Sequence, residues 1–107
     1  MKESERLRAA KQLISTPDTW LQGNYTDAPD SAIDGACKFC SLGAIFKARG
    51  ENCSASDYNS TSAYLRKVLA TSGHFTYDVA EFNDCSKHED VLYLFDKAIE
   101  FAESEGC

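Results

Sequence analysis

Phe82-Asn83-Asp84-Cys85-Ser86-Lys87-His88-Glu89, followed by Asp90-Val91-Leu92-Tyr93-Leu94-Phe95-Asp96-Lys97-Ala98-Ile99-Glu100, is the stretch whose reading settles the fold. From Val91 onward the apolar residues Val91, Leu94, Phe95, Ala98, Ile99 and Ala102 recur at steps of three and four. That spacing keeps them on one side of a helix, and a stripe of this kind is stable only when packed on a core. Ahead of it, Ser86 followed three residues later by Glu89 spells a capping box. The hydroxyl accepts from one free amide while the carboxylate reaches back to another. The sequence therefore predicts a long last helix capped at Ser86. Phe82-Asn83-Asp84 reads as a turn leading into that cap, because Asn and Asp side chains bond nearby backbone. The expected job of Asn83 and Asp84 is to hold backbone amides and fix how the chain enters the helix, with ligand contact as the alternative. These features specify architecture strongly and chemistry hardly at all.

Working outward, residues 4–15 show a second amphipathic pattern. Leu7, Ala10, Leu13 and Ile14 form one face, with Glu3, Glu5, Arg6, Arg8 and Lys11 solvating the rest. Thr16-Pro17 ends this helix, since the residue before a proline is pushed out of the helical region. Trp20, the single tryptophan, is expected as an anchor on the core edge. Residues 23–31 are dense in turn formers and read as a loop. A helix is expected over 33–49, closed by Gly50 and presenting the small residues Ala36, Cys37, Cys40, Gly43, Ala44 and Ala48, with Phe46 more peripheral. Small side chains permit close helix approach, which places this element centrally. Residues 51–59 are polar. Asp57 or Ser60 then caps a helix to Thr71, with Tyr64, Leu65, Val68 and Leu69 inward. Residues 74–81 alternate weakly, and one strand cannot make a sheet, so they read as a packed loop. The expectation is an all-α, single compact domain over 1–107, with four main helices and two long loops. Its core is Leu7, Leu13, Ile14, Trp20, Cys40, Ala44, Leu65, Leu69, Val91, Leu94, Phe95, Ala98 and Ile99.

Composition narrows the function classes. Seventeen acidic residues against eleven basic ones give a net charge of −6 in 107 residues. With no basic stripe to release counterions from phosphates, direct nucleic-acid binding is not expected. No apolar run approaches the roughly 20 residues of a membrane span, and Met1-Lys2-Glu3-Ser4 does not open an export signal. Five cysteines without such a signal argue against a disulfide framework. The expected compartment is the cytoplasm. The sequence leaves oligomeric state open.

Chemistry-bearing patterns are few. Cys37-Lys38-Phe39-Cys40 and Cys85-Ser86-Lys87-His88 together offer a Cys₃His zinc set of Cys37, Cys40, Cys85 and His88, with Cys53 spare. The gap between the halves is longer than a compact zinc finger uses. Cys37 and Cys40 also suit a buried small-residue face, where free cysteine behaves as a small hydrophobe. No nucleophile elbow, phosphate loop or HExxH occurs, and His74 and His88 are the only side chains suited to act as a base. No catalytic residue, resident metal or cofactor is expected. The binding candidates are the acidic and amide side chains outside the core stripes: Asp27, Asp30, Asp34, Asn83, Asp84, Glu89 and Asp90, with Glu81 beside them. Tyr25, Phe75 and Tyr77 are the aromatics expected at the surface.

With those residues in view, the whole chain resembles the DUF6197 family of small uncharacterised bacterial and phage proteins. The resemblance rests on Leu13-Ile14 ending a first helix, on Trp20-Leu21-Gln22-Gly23, and on Cys40-Ser41-Leu42-Gly43-Ala44. It continues in Phe82-Asn83-Asp84, where the family usually has Trp-Asn-Asp, and in Val91-Leu92 with Asp96-Lys97-Ala98. Cys37, Cys85 and His88 are not part of the family pattern, which counts against the zinc set. The resemblance implies a compact helical domain with phage or mobile-element associations and brings no functional residues. The resulting expectation is a non-enzymatic, acidic binding protein that inhibits a bacterial host protein such as a defence complex. The alternatives are the zinc module, or a small-molecule-binding or catalytic protein using the Asn83-Asp84 loop with His74 or His88.

Overall fold

Helix α1, Glu3–Leu13, buries Leu7 and Ala10 of the predicted face, and also Ser4, one turn ahead of Leu7. Glu5 reaches back to accept from the Lys2 amide at 3.1 Å, satisfying one donor of the first turn. Pro17 then opens a short 3₁₀ turn, Pro17–Thr19. The computed structural model describes residues 2–23, 26–27, 38–49, 55–73, 76 and 78–106, with backbone alone at 55–58. Within them lie five α-helices and no strand, so the chain is mostly helical as expected, with one helix more than the sequence predicts.

The remaining boundaries depart from expectation in instructive ways. Helix α2 is Ser41–Arg49 and does not extend back through Lys38. The Phe39 amide donates to the Thr19 carbonyl at 3.0 Å, and its own carbonyl accepts from Leu21 at 2.9 Å. Phe39 is thereby bridged to Trp20 on one side and Thr26 on the other. A residue whose backbone groups are taken by distant chain has none left for a helical ladder. Ile33, Ala36, Cys37 and the Gly50 cap lie outside the described residues. Helix α3 is Ala55–Thr71, so both Asp57 and Ser60 fall inside it rather than at its start. Tyr64, Leu65, Val68 and Leu69 are buried there, as expected.

The extra helix is α4, Val79–Cys85, in a region expected to be packed loop and turn. Val79, Phe82 and Asn83 are its buried face, which is the i, i+3, i+4 pattern over two turns. Asp78 caps it, its Oδ1 accepting from the Ala80 amide at 2.9 Å and the Glu81 amide at 3.2 Å. Helix α5, His88–Ser104, follows at once, with Lys87 as its N-cap and no side-chain cap bond. Ser86 is instead the C-terminal cap of α4, in extended conformation. The expected Ser86–Glu89 capping box is therefore not formed. Asp78→Ala is expected to cost about 1 kcal/mol, whereas Ser86→Ala should stay within about 0.5 kcal/mol of the parent. Urea melts of both variants check this, and the reverse order would restore Ser86 as the cap.

Helix α5 packs on both α1 and α3, and α1 packs equally on α2. Phe95, Leu7, Ile14, Ile45, Leu65, Leu69 and Val91 have no exposed surface at the centre. Leu13, expected in the core, is only partly buried against it, and Trp20 packs partly buried at its edge, as the anchor expected there. Ile45, Phe39, Val79 and Phe82 complete the core. A polar tie joins three helices beside it. Glu3 Oε1 accepts from Arg6 Nη1 at 2.9 Å, Arg49 Nη1 at 2.8 Å and Thr61 Oγ1 at 3.0 Å. Among the described residues no helix is long and apolar enough to cross a membrane.

Candidate functional site

Among the described residues two regions gather polar and ionisable side chains, and the first is centred on Asn83. Its side chain is fully buried. Oδ1 accepts from Trp20 Nε1 at 2.8 Å, from the Ser41 amide at 3.0 Å and from Ser41 Oγ at 2.7 Å. Nδ2 donates to the Leu21 carbonyl at 2.9 Å and to Asp84 Oδ1 at 3.2 Å. A primary amide has two donor hydrogens and two acceptor lone pairs, so its capacity is consumed. The Ser41 amide is an orphan donor at the start of α2, and an asparagine on α4 satisfies it from across the fold. Next to it Cys40 Sγ accepts from the Gly43 amide at 3.4 Å. Burial pushes the Cys40 thiol above its ordinary pKa, which disfavours the thiolate a metal or electrophile needs.

Gln22 completes the hub. Its Nε2 lies 3.0 Å from the Asn83 and Asp84 carbonyls and 3.1 Å from that of Ser86, clamping the end of α4. Asp84 Oδ1 also accepts from the Gly23 amide at 2.8 Å. Asn83 and Asp84 thus do hold backbone amides, but those of Ser41 and Gly23 rather than of the last helix. His88 Nε2 lies 2.6 Å from the Ile14 carbonyl. A carbonyl only accepts, so this nitrogen carries the proton and the ring is held beside Trp20, centroids 5.2 Å apart.

The second region is the outer face of α5. Glu89, Asp90, Tyr93, Asp96, Lys97, Glu100 and Glu103 lie opposite the buried stripe of Val91, Leu94, Phe95 and Ala98. Tyr93 is 58% exposed, the one large hydrophobic side chain so exposed among the described residues. Arg8 pairs with Glu103 at 2.8 Å, Lys11 with Asp96, and Lys97 with Glu100 at 3.4 Å. Lys97 Nζ sits 5.3 Å from the Tyr93 ring centroid. Hydrogen bonding to Tyr93, then to Glu100, pushes its ammonium above the usual lysine range. Clefts flank Tyr93 on both sides. One of about 600 Å³ runs between α1 and α5, and one of about 280 Å³ lies between α3 and α5.

Only some of the residues singled out from sequence fall in these regions. Asp84 belongs to the hub. Asp27 is exposed, with Oδ1 accepting from the Lys38 amide at 2.9 Å. Glu89 and Asp90 are exposed on the first turn of α5, and Glu81 is exposed on α4. Asp30, Asp34, Cys37, Cys53, His74, Tyr25, Phe75 and Tyr77 lie outside the described residues. Of the zinc set, Cys40 is buried, Cys85 is exposed and His88 is bonded to Ile14. Among the described residues no three His, Cys, Asp or Glu side chains converge as a metal site. Sequence reasoning missed Gln22, Ser41 and Tyr93. Only Tyr93 carried a signal, since it stands opposite the apolar stripe of its own helix.

Residues 1–101 match the model of a family of unknown function, DUF6197. No curated protein and no solved structure matches the chain.

Proposed function

The chain belongs to the DUF6197 family, and on that premise we propose that it is a small, acidic, non-enzymatic binding protein. Carried by a phage or mobile element, it acts in the cytoplasm by occupying a surface on a bacterial host protein and inhibiting it. A defence complex with a basic nucleic-acid site is the partner class that suits its charge. The observation that carries this reading is the outer face of α5, where one exposed tyrosine stands near exposed Glu89 and Asp90, while Asp96, Glu100 and Glu103 pair with Lys11, Lys97 and Arg8. Carboxylates held in this way steer encounter with a basic surface, and a tyrosine supplies contact area with little loss of side-chain freedom. The hub around Asn83 speaks for positioning rather than ligand contact, because its hydrogen-bonding capacity is spent inside the protein.

The test uses the protein as bait in host lysate, at low and high salt, with the captured partner then purified for kinetics. Reversing Glu89, Asp90 and Glu100 to lysine is expected to slow association roughly tenfold or more at low salt. The difference should shrink as salt screens the charges. The fold should be retained, because reversing a first-turn carboxylate costs about 0.3–1 kcal/mol against the helix dipole, well short of the roughly 5–15 kcal/mol that holds a domain. Capture that is independent of salt, or no partner at all, overturns the reading.

A further inference from the structure

We infer that the cleft between α3 and α5 is a seat for an arginine side chain presented by a basic partner protein. The inference rests on reading the α5 face as a binding surface and names what that surface grips. The cleft is lined by Val68, Ser72, Asp90, Tyr93, Leu94 and Lys97. At about 280 Å³ it lies just below the roughly 300–1,000 Å³ of small-molecule sites, a size that suits one long side chain better than a cofactor. Its floor, Val68 and Leu94, is apolar and rigid in the core. An arginine stem buries methylenes on such a floor while its head remains polar.

Two features select a guanidinium for the head. Asp90 is exposed at the cleft, and among the described residues no side-chain or backbone donor reaches its carboxylate. A carboxylate in that condition is free to accept both arms of a guanidinium. Tyr93 offers the aromatic face, and the molecule already shows what that face attracts. Its own Lys97 ammonium sits over the ring while leaning on Glu100. An arriving guanidinium takes the place of that ammonium over the ring, and Lys97 remains neutralised by Glu100. Arginine, planar and weakly hydrated, stacks on an aromatic ring and pairs with a carboxylate at once, which a lysine does less well. The net charge of −6 favours a cationic arrival over a neutral one.

The experiment titrates the full-length, nitrogen-15-labelled protein with hexa-arginine at physiological salt and follows its amide resonances. Hexa-citrulline and hexa-lysine serve as the neutral and the point-charge controls. Saturable shifts centred on Val68, Ser72, Asp90 and Tyr93 are expected with hexa-arginine and none with hexa-citrulline. Hexa-lysine should bind more weakly. Asp90→Asn should weaken hexa-arginine binding roughly tenfold, the loss of one charge-assisted contact. Tyr93→Ala should weaken it as well, and Lys97→Gln should strengthen it by removing the resident cation. All three lie on the surface, so an unchanged spectrum away from the cleft verifies the fold. Shifts spread evenly over the acidic surface, an Asp90→Asn titration equal to the parent, or equal binding of hexa-lysine overturns the inference. If the captured host partner binds with strong salt dependence yet ignores Asp90→Asn and Tyr93→Ala, the arginine seat fails and the acidic-face reading stands. If hexa-arginine seats as described but no salt-sensitive partner exists, the reverse holds.

Discussion

Phe95→Ala is expected to destabilise the protein by about 3–5 kcal/mol, the range for an aromatic truncated in a core. Phe95 has no exposed surface and is, among the described residues, the bulkiest fully buried side chain. It stands on α5, the helix that packs on both α1 and α3, so the void opens where three elements meet. The loss combines the transfer free energy of the ring with the cavity that rigid neighbours leave unfilled. Against a total stability of about 5–15 kcal/mol for a domain, that is a large fraction. Urea denaturation followed by far-ultraviolet circular dichroism measures it, and a loss under about 1 kcal/mol would show that α5 turns a different face inward.

Asn83→Ala is expected to cost a comparable 3–5 kcal/mol or so, by a different route. Alanine removes little apolar contact, but it strands the Trp20 indole donor, the Ser41 amide and hydroxyl, and the Leu21 carbonyl. Each buried polar group left without a partner costs about 1–3 kcal/mol. Water entering the vacated site recovers part of this, which keeps the sum below the largest additive value. Trp20 reports the event directly, since it is the single tryptophan and its ring nitrogen bonds Asn83 at 2.8 Å. Its emission should shift to the red in the variant even where helicity is retained. A midpoint and emission equal to the parent would mean that the hub holds nothing together. Because Asn83 is enclosed and its partners are all internal, the same substitution tests structure rather than ligand contact.

The core of α5 was legible in the sequence, and so were the inward faces of α1 and α3. Each depends on a repeat of three and four residues, which helix geometry converts directly into one face. Leu7, Ala10, Tyr64, Leu65, Val68, Leu69, Val91, Leu94, Phe95, Ala98 and Ala102 are all buried where that repeat puts them. The exposure of Tyr93 follows from the same repeat, as the side left over. Helix α4 was concealed because two turns give only three periodic positions, one of them an asparagine that reads as a turn former. Asp78, its true cap, is no more conspicuous in the sequence than Ser86.

The helical class, the inward stripes and the acidic balance can all be read along the chain. All of these depend on residues a few positions apart or on composition. Where helices begin and what the polar side chains do depend instead on how the chain is packed. Ser86 followed by Glu89 satisfies the local pattern of a cap, yet α4 runs on to Cys85 and leaves Ser86 as its end. Phe39 sits in a helix-compatible run, yet its backbone is claimed by Thr19 and Leu21. Asn83 finds its acceptors and donors at Trp20, Leu21 and Ser41, 42 to 63 residues away along the chain. A hydrogen-bonding group takes whichever partner the folded chain brings within about 3 Å. Several local and distant partners compete for each such group, and only the packing of the apolar faces determines which of them arrives.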